Sequence, residues 1–384
     1  MTRTVLEAEV VVIGAGAVGN SIAYHLAKRG KSVVLIDRRA PAAEASGANF
    51  GLVWVHSKEP WYYMELSLIS ARMYPSLVAE LDEDVELRQE GGLVLCMNEE
   101  EFKRGEAMIS RQRRSSLFRG RMLSREEVLD LQPGVSDDVV GASWSPDDGD
   151  LNPIAYTLAL ARACERRGVR ILPQTTVTGI QLSDGRVCGV LTDQGSIATP
   201  VVVNAAGVQA PRIAEMVGHT LPVEPCRGQE LITEPAPRLL RYPMSGIRQT
   251  KKTGQFILGF TEEWVGLDKR TTFAGMTKIA ANAVRKVPSV RNLRVIRAWA
   301  GLRPMPKDGL PLIGELQEVP GFYVAVGHSG ITLSPLYGRA LSDLICDGRT
   351  ALPIEPYHPC RFDAESSVPV QTGEETVPTG EERR

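Results

Sequence analysis

The chain has 384 residues, 43% apolar and 23% charged, a length that supports a large core and more than one subdomain. Its formal charge of −2, with no block of five or more basic residues, gives no pull toward nucleic acid or an anionic membrane. No run of about 18 apolar residues exists, which excludes a membrane-spanning helix, and Cys96, Cys164, Cys188, Cys226, Cys346 and Cys360 show no metal-ligand spacing, so neither a metal site nor an iron–sulfur cluster is expected in this chain.

Residues 9–13 (EVVVI) form a continuous apolar run, the pattern of a strand buried on both faces of a parallel sheet. The run leads straight into a glycine motif with no small-residue cleavage site, so it reads as a first β-strand rather than a signal peptide, and the protein is expected in the cytoplasm. Val18, Ile22 and Leu26, with Ala23 and Ala27 beside them, predict a helix over 17–29, and SVVLI (32–36) predicts a second buried strand. Residues 50–145 carry mixed helix and strand signals. The pattern sharpens at Asn152, a helix N-cap followed by Pro153 and an apolar face of Ile154, Leu158 and Ala161 that ends at Gly168. Strand VRIL (169–172) follows, then three short strands separated by the turns SDGR (183–186) and DQGS (193–196), then the buried strand VVVNAAG (201–207). Residues 208–297 are rich in strand-like pieces such as GQFILGF (254–260). FYVAVG (322–327) predicts a strand, and a helix from about 333 to 347 puts Leu336, Ala340, Leu344 and Ile345 on one face. Residues 364–384, rich in Glu, Pro, Thr and Gly, are expected to be disordered.

This layout predicts a discontinuous cofactor domain from 1–50, 145–215 and 298–350, with a substrate domain from 51–144 and 216–297. Gly14, Gly16 and Gly19 (GAGAVG) lie between predicted strand and predicted helix, which turns a weak GxGxxG into a strong dinucleotide signal. The first glycine allows the tight turn, the second lets backbone approach a pyrophosphate, and the third lets helix and strand pack closely. Asp37, at the end of the second strand, is placed to accept hydrogen bonds from an adenosine ribose. Arg38 and Arg39 beside it raise the question of a 2′-phosphate, which Asp37 would repel; the motif alone does not separate FAD from NAD.

Five segments in order carry a wider resemblance: VVVIGAGAVG with Asp37, EASGANFG (44–51), GVRILPQTTVTGI (168–180) with VVVNAAG, WAGLRPMPKDGLPLIG (299–314) and GFYVAVGHSGITLSPLYGRAL (321–341). Over about residues 8–350 the sequence resembles the FAD-dependent D-amino-acid oxidase superfamily, which includes glycine and sarcosine oxidases. The resemblance implies an α/β fold: a Rossmann-like, glutathione-reductase-like FAD domain with an inserted α+β substrate domain carrying a mixed or antiparallel sheet. It implies noncovalent FAD, because Met305 stands where some sarcosine oxidases carry the flavin-bonding cysteine. It assigns cofactor contacts to Gly14, Gly16, Ala17, Val18, Gly19, Asp37 and Arg38, then to Ser46, Gly47, Asn49, Gly51 and Leu52. Further contacts fall on Val177, Ala205, Gly207, Gly301, Arg303, Gly330, Ile331 and Thr332. Asp37 stands where many relatives have Glu, and its shorter side chain still reaches a ribose.

Arg303, in GLRP, matches the arginine that clamps the substrate carboxylate in amino-acid-oxidising members, where a planar fork fixes the Cα–H against flavin N5; the bland alternative is a salt-bridged arginine. The neutral amine then loses hydride to N5 and gives an imine that water hydrolyses. His328 is a candidate substrate contact, or a satisfied polar residue; Trp54 and His56 are candidates for the pocket wall. Arg248 and Arg227 are candidates for holding a second acidic group, against a structural role. The lysine that assists oxygen reaction in sarcosine-type oxidases is matched by Ile257, which favours a dehydrogenase. The segment from 247 to 272 resembles most the β subunits of bacterial opine oxidase, D-hydroxyproline dehydrogenase and hydrogen cyanide synthase. That resemblance implies an amino-acid or opine substrate and partner α and small γ subunits that hold any additional flavin or [2Fe-2S]. A stand-alone, peroxide-producing oxidase is the alternative.

Overall fold

VVVI and VVLI become adjacent parallel strands, Val10–Ile13 and Val33–Ile36, with every residue of both buried. A computed structural model describes residues 5–362 of the chain; the segment 364–384 lies outside the described residues. The two strands sit inside a six-stranded sheet in the order Leu312–Glu315, Phe322–Val326, Val202–Asn204, Val10–Ile13, Val33–Ile36, Arg170–Leu172. All neighbours are parallel except the edge strand Leu312–Glu315.

Side chains alternate across a strand, so each sheet face receives its own layer. Val10 and Val12 face a core shared with the helices Ala17–Lys28, Pro153–Arg166 and Gly330–Asp347. Val11 and Ile13 face a second core, closed by the four-stranded sheet of Val5–Glu7, Gly195–Ala198, Arg186–Thr192 and Val177–Ser183. The N-terminal stretch is thus two strands in two sheets rather than one continuous strand.

The insertions build a separate layer. The antiparallel sheet Ile247–Gln249, Gln255–Gly259, Val223–Pro235, Val295–Pro306 meets the three-stranded sheet Gly92–Cys96, Gly141–Ser145, Arg121–Ser124 through a bridge between Leu93 and Met244. The helix Phe273–Lys286 covers it through Ile279 and Ala283, over a third core. The fold is Rossmann-like α/β with a mixed-sheet α+β insertion.

The last helix starts at Gly330, three residues earlier than its apolar periodicity suggests, and contains Pro335. Proline removes the bond that its N–H would make to Ile331 O. That carbonyl instead accepts from the Tyr74 hydroxyl and from Ser334 Oγ, the latter at 3.0 Å. Ser70 Oγ donates to Thr332 O at 2.8 Å and accepts from Leu336 N at 3.2 Å, bridging the next rung. The break in the ladder is repaired by neighbouring helices, so the helix runs through a position that sequence rules treat as a stop. Among the cysteines, Cys96, Cys164 and Cys226 are buried as expected for structural thiols, whereas Cys188 is exposed. No helix among the described residues is long and apolar enough to cross a membrane.

Candidate functional site

A cavity of about 610 Å³ runs between the six-stranded sheet and the antiparallel sheet of the insertion. One end is built by the glycine turn. Gly14 has φ of +110°, and a Cβ there would collide with Ala205 O, so strand and turn approach without side chains between them. A Cβ on Gly16 would lie 2.8 Å from Ser46 Oγ. Ser46 Oγ accepts from Ala17 N at 2.9 Å, and Asp37 Oδ2 accepts from Ala15 N at 2.7 Å. Burial raises the Asp37 pKa, and the backbone N–H groups of Arg39 and Ala15 work against that rise. Gly16, Val18, Arg38, Val177, Ala205 and Gly207 border the same end.

The loop after the second strand forms the side wall. Asn49 lines the cavity, but its amide is engaged by the loop itself: Nδ2 donates to Ala45 O and Ser46 O, and Oδ1 accepts from Gly51 N. Gly51 and Leu52 continue the wall. Thr332 Oγ1 accepts from Trp54 N at 3.0 Å and ties the start of the last helix to it. Gly301 closes against this loop, since a Cβ there would stand 2.7 Å from Ala48 O.

The other end is polar. Arg303 lines it, with its guanidinium stacked 5.1 Å from the Phe260 ring centroid and Nη1 donating to Thr261 O at 3.0 Å. Lys58 is buried there and donates to Ser329 Oγ, whose own hydrogen can reach His328 Nδ1 at 3.2 Å. Burial pulls the Lys58 ammonium down to about 8. Burial, then the nearby Lys58 and Arg303 cations, hold His328 well below the usual imidazole range, so it is neutral near pH 7. Gly330, Ile331 and Thr332 border the cavity at the helix N-terminus, where first-turn N–H groups lack partners inside the helix. Such a terminus suits an anion.

His56, read from the sequence as a candidate for the pocket wall, and Arg248, read as a candidate for holding a second acidic group, do not border the cavity. His56 is fully buried: Nδ1 pairs with Asp148, Nε2 lies 3.0 Å from Ser143 Oγ, and the ring sits behind Trp54 rather than beside it in the wall. Arg248 is spent on Phe50 O and, at 3.2 Å, on Asp150, underneath the wall. Arg227 is likewise paired with Glu263 and Asp268. Ala17, Gly19 and Gly47 do not border the cavity; Gly19 packs on Gly14 O and Gly47 on Ala42 O. Trp54 does line it.

Lys58 and Glu230 were missed by sequence reasoning. Glu230 is 3% exposed, lines the cavity, and leaves Oε2 without a hydrogen-bond partner. No alternation marks it: in CRGQELITE the residues on both strand faces from 226 to 231 are buried, and Leu231, on the face opposite Glu230, is the one that enters the third core. Lys58 follows a segment without periodicity and carries no signal either.

Residues 9–344 match the family model described as FAD dependent oxidoreductase. The chain belongs to the FAD-dependent oxidoreductase family. It is 30% identical to an opine oxidase subunit of Rhizobium meliloti over 94% of this chain and 99% of that one. Its fold superposes on the crystal structure of glycine oxidase from Geobacillus kaustophilus with a TM-score of 0.87 and 28% identity, covering 93% and 99% of the two chains. It also superposes on L-proline dehydrogenase from P. horikoshii with a TM-score of 0.86 and 29% identity, covering 94% and 98%. The cavity fits the family's cofactor: a close-packed glycine turn that puts bare backbone of Gly14 and Gly16 on its wall, an acceptor carboxylate at Asp37, and a helix terminus bordering the polar end.

Proposed function

We propose that this chain oxidises the C–N bond of an amino acid or N-substituted amino acid, of opine, cyclic or N-alkyl type, as the substrate-oxidising subunit of a heteromeric dehydrogenase. The observation that carries the substrate class is Arg303: a cation fixed in orientation by Phe260 and Thr261, at the polar end of a dinucleotide-type cavity. Its fork holds a substrate carboxylate and sets the orientation of the neighbouring C–H. FAD, held noncovalently in keeping with Met305 at the place where some sarcosine oxidases carry the flavin-bonding cysteine, supplies the hydride acceptor. Neutral His328, whose Nδ1 accepts from the Ser329 hydroxyl, offers its Nε2–H as a donor to the substrate without adding charge. Phe260 and Trp54 add aromatic surface to the cavity wall, and the imine product hydrolyses. Resemblance to a protein named as a subunit supports the heteromeric reading.

One observation favours a stand-alone oxidase instead. The sequence has Ile257 where sarcosine-type oxidases have a lysine, but Lys58 brings a buried ammonium to the cavity from another element. Anaerobic titration of the purified flavoprotein with glycine, sarcosine, D-proline, hydroxyproline isomers, octopine and nopaline tests both readings. Bleaching followed by slow reoxidation in air supports the dehydrogenase. Fast reoxidation with peroxide supports the oxidase, and failure of every amine to bleach the flavin overturns the amine-oxidation reading.

A further inference from the structure

Resting on the reading of Arg303 as the carboxylate clamp, we propose that Glu230 is the seat of the substrate's amine nitrogen and the acceptor of its proton. The antiparallel register sets Cys226 opposite Arg303, Gly228 opposite Gly301 and Glu230 opposite Trp299, so these six share one sheet face. The Arg303 side chain leans along that face until its guanidinium overlies Gly228, where a Cβ would collide with it. Glu230 is two residues further along the strand, about 7 Å away at the usual rise. The two groups do not pair: Arg303 Nη1 goes to Thr261 O, and Glu230 Oε2 has no partner. Both line the same cavity.

A buried carboxyl without a partner is costly in the empty protein. The charged groups facing it are Arg303 on one neighbouring strand and Arg248 beyond the other, and neither bonds it; Phe50 packs against Gly259 beside its Cγ. The Trp299 indole N–H opposite is also unpartnered, so it does not satisfy the carboxyl. A ligand carrying a carboxylate for Arg303 and an adjacent ammonium would satisfy both ends. Burial lifts the empty carboxyl to about 8, so near pH 7 it is mostly protonated. Binding an ammonium then leaves one proton shared between carboxyl and nitrogen and sends the other to solvent. With the shared proton on Glu230, the nitrogen holds its lone pair, the form from which hydride leaves.

The flavin-loaded protein and two unreactive ligands test this. 2-Aminoisobutyrate has the carboxylate and the amine but no Cα–H to lose; isobutyrate has the same skeleton without nitrogen. Calorimetric titration at pH 7 in buffers of different ionisation enthalpy should show nearly one proton released per 2-aminoisobutyrate, less as pH rises through about 8, and none per isobutyrate. Glu230→Gln should abolish the release while both ligands still perturb the flavin spectrum; Glu230→Met, of similar size, should do the same. Equal proton counts for the two ligands, or release that survives in both variants, would overturn the Glu230 proposal alone. Failure of both ligands to bind the unmodified protein would overturn the Arg303 reading and this proposal with it.

Discussion

Replacing Arg303 by Lys keeps a cation in the cavity and removes the planar fork. Nη1 is pinned by Thr261 O at 3.0 Å and the guanidinium plane is stacked on Phe260, so the fork is set before any ligand arrives. A ligand carboxylate takes two parallel charge-assisted bonds from such a fork, each contributing about 1.5–3 kcal/mol. Lysine retains one of them and loses the stacking, so Arg303→Lys should weaken carboxylate binding by about 1.5–3 kcal/mol, roughly 10- to 150-fold. Arg303→Leu should lose both and bind more weakly still. Flavin content should be unchanged in either variant, because the glycine turn and Asp37 lie at the far end of the cavity. The assay is titration of the oxidised flavoprotein with simple carboxylates, followed by the visible spectrum; with a true substrate, KM should move more than kcat. If Arg303→Leu binds carboxylates within about threefold of the unmodified protein, the clamp assignment is wrong.

Gly14→Ala forces a side chain into a φ of +110° and against Ala205 O, a backbone strain of about 1–3 kcal/mol before the collision is counted; the protein should purify without flavin, and a full complement of flavin would contradict this. Asp148→Ala leaves the His56 ring and the Val55 and His56 N–H groups without their acceptor in a fully buried site, which should cost about 1–3 kcal/mol for each stranded group in urea unfolding; an unchanged midpoint argues otherwise. The Glu230 carboxyl, raised from 4.5 to about 8, contributes stability that is complete below about pH 4.5 and lost as pH rises through about 8. Glu230→Gln should therefore stabilise the ligand-free protein at pH 8.5 by about 3–5 kcal/mol, and parallel pH profiles would refute it. Lys58, lowered from 10.5 to about 8, has the opposite slope: its penalty is complete below about pH 8 and relieved as pH rises through about 10.5. Lys58→Met should remove the stability gain over that window, measured by the same unfolding series.

The sheet, its helices and the glycine cradle were legible because their signals are local: continuous apolar runs, a capped helix at Asn152 and Pro153, and glycines at fixed spacing. The start of the last helix was not, because the break at Pro335 is repaired in part by hydroxyls from Ser70 and Tyr74, more than 250 positions away. His56 and Arg248 were misplaced for a related reason. Their partners Asp148 and Asp150 lie in a remote segment that a single sequence does not pair with them, and those carboxylates hold both side chains behind the wall. Glu230 sits in a strand stretch buried on both faces, so no alternation marks it, and the arginines nearby give the louder charge signal.

Pro335 has a consequence for recombining this chain with its relatives. The turn that borders the polar end of the cavity takes its missing hydrogen bonds from residues 70 and 74, so it is not a portable module. A crossover that separates Trp61–Leu81 from Gly330–Asp347 sets one parent's proline against the other parent's side chains and strips partners from Ile331 O, Thr332 O and Leu336 N. Chimeras that inherit both segments from one parent should keep their flavin, and those that divide them should lose it, whatever the identity of the intervening sequence.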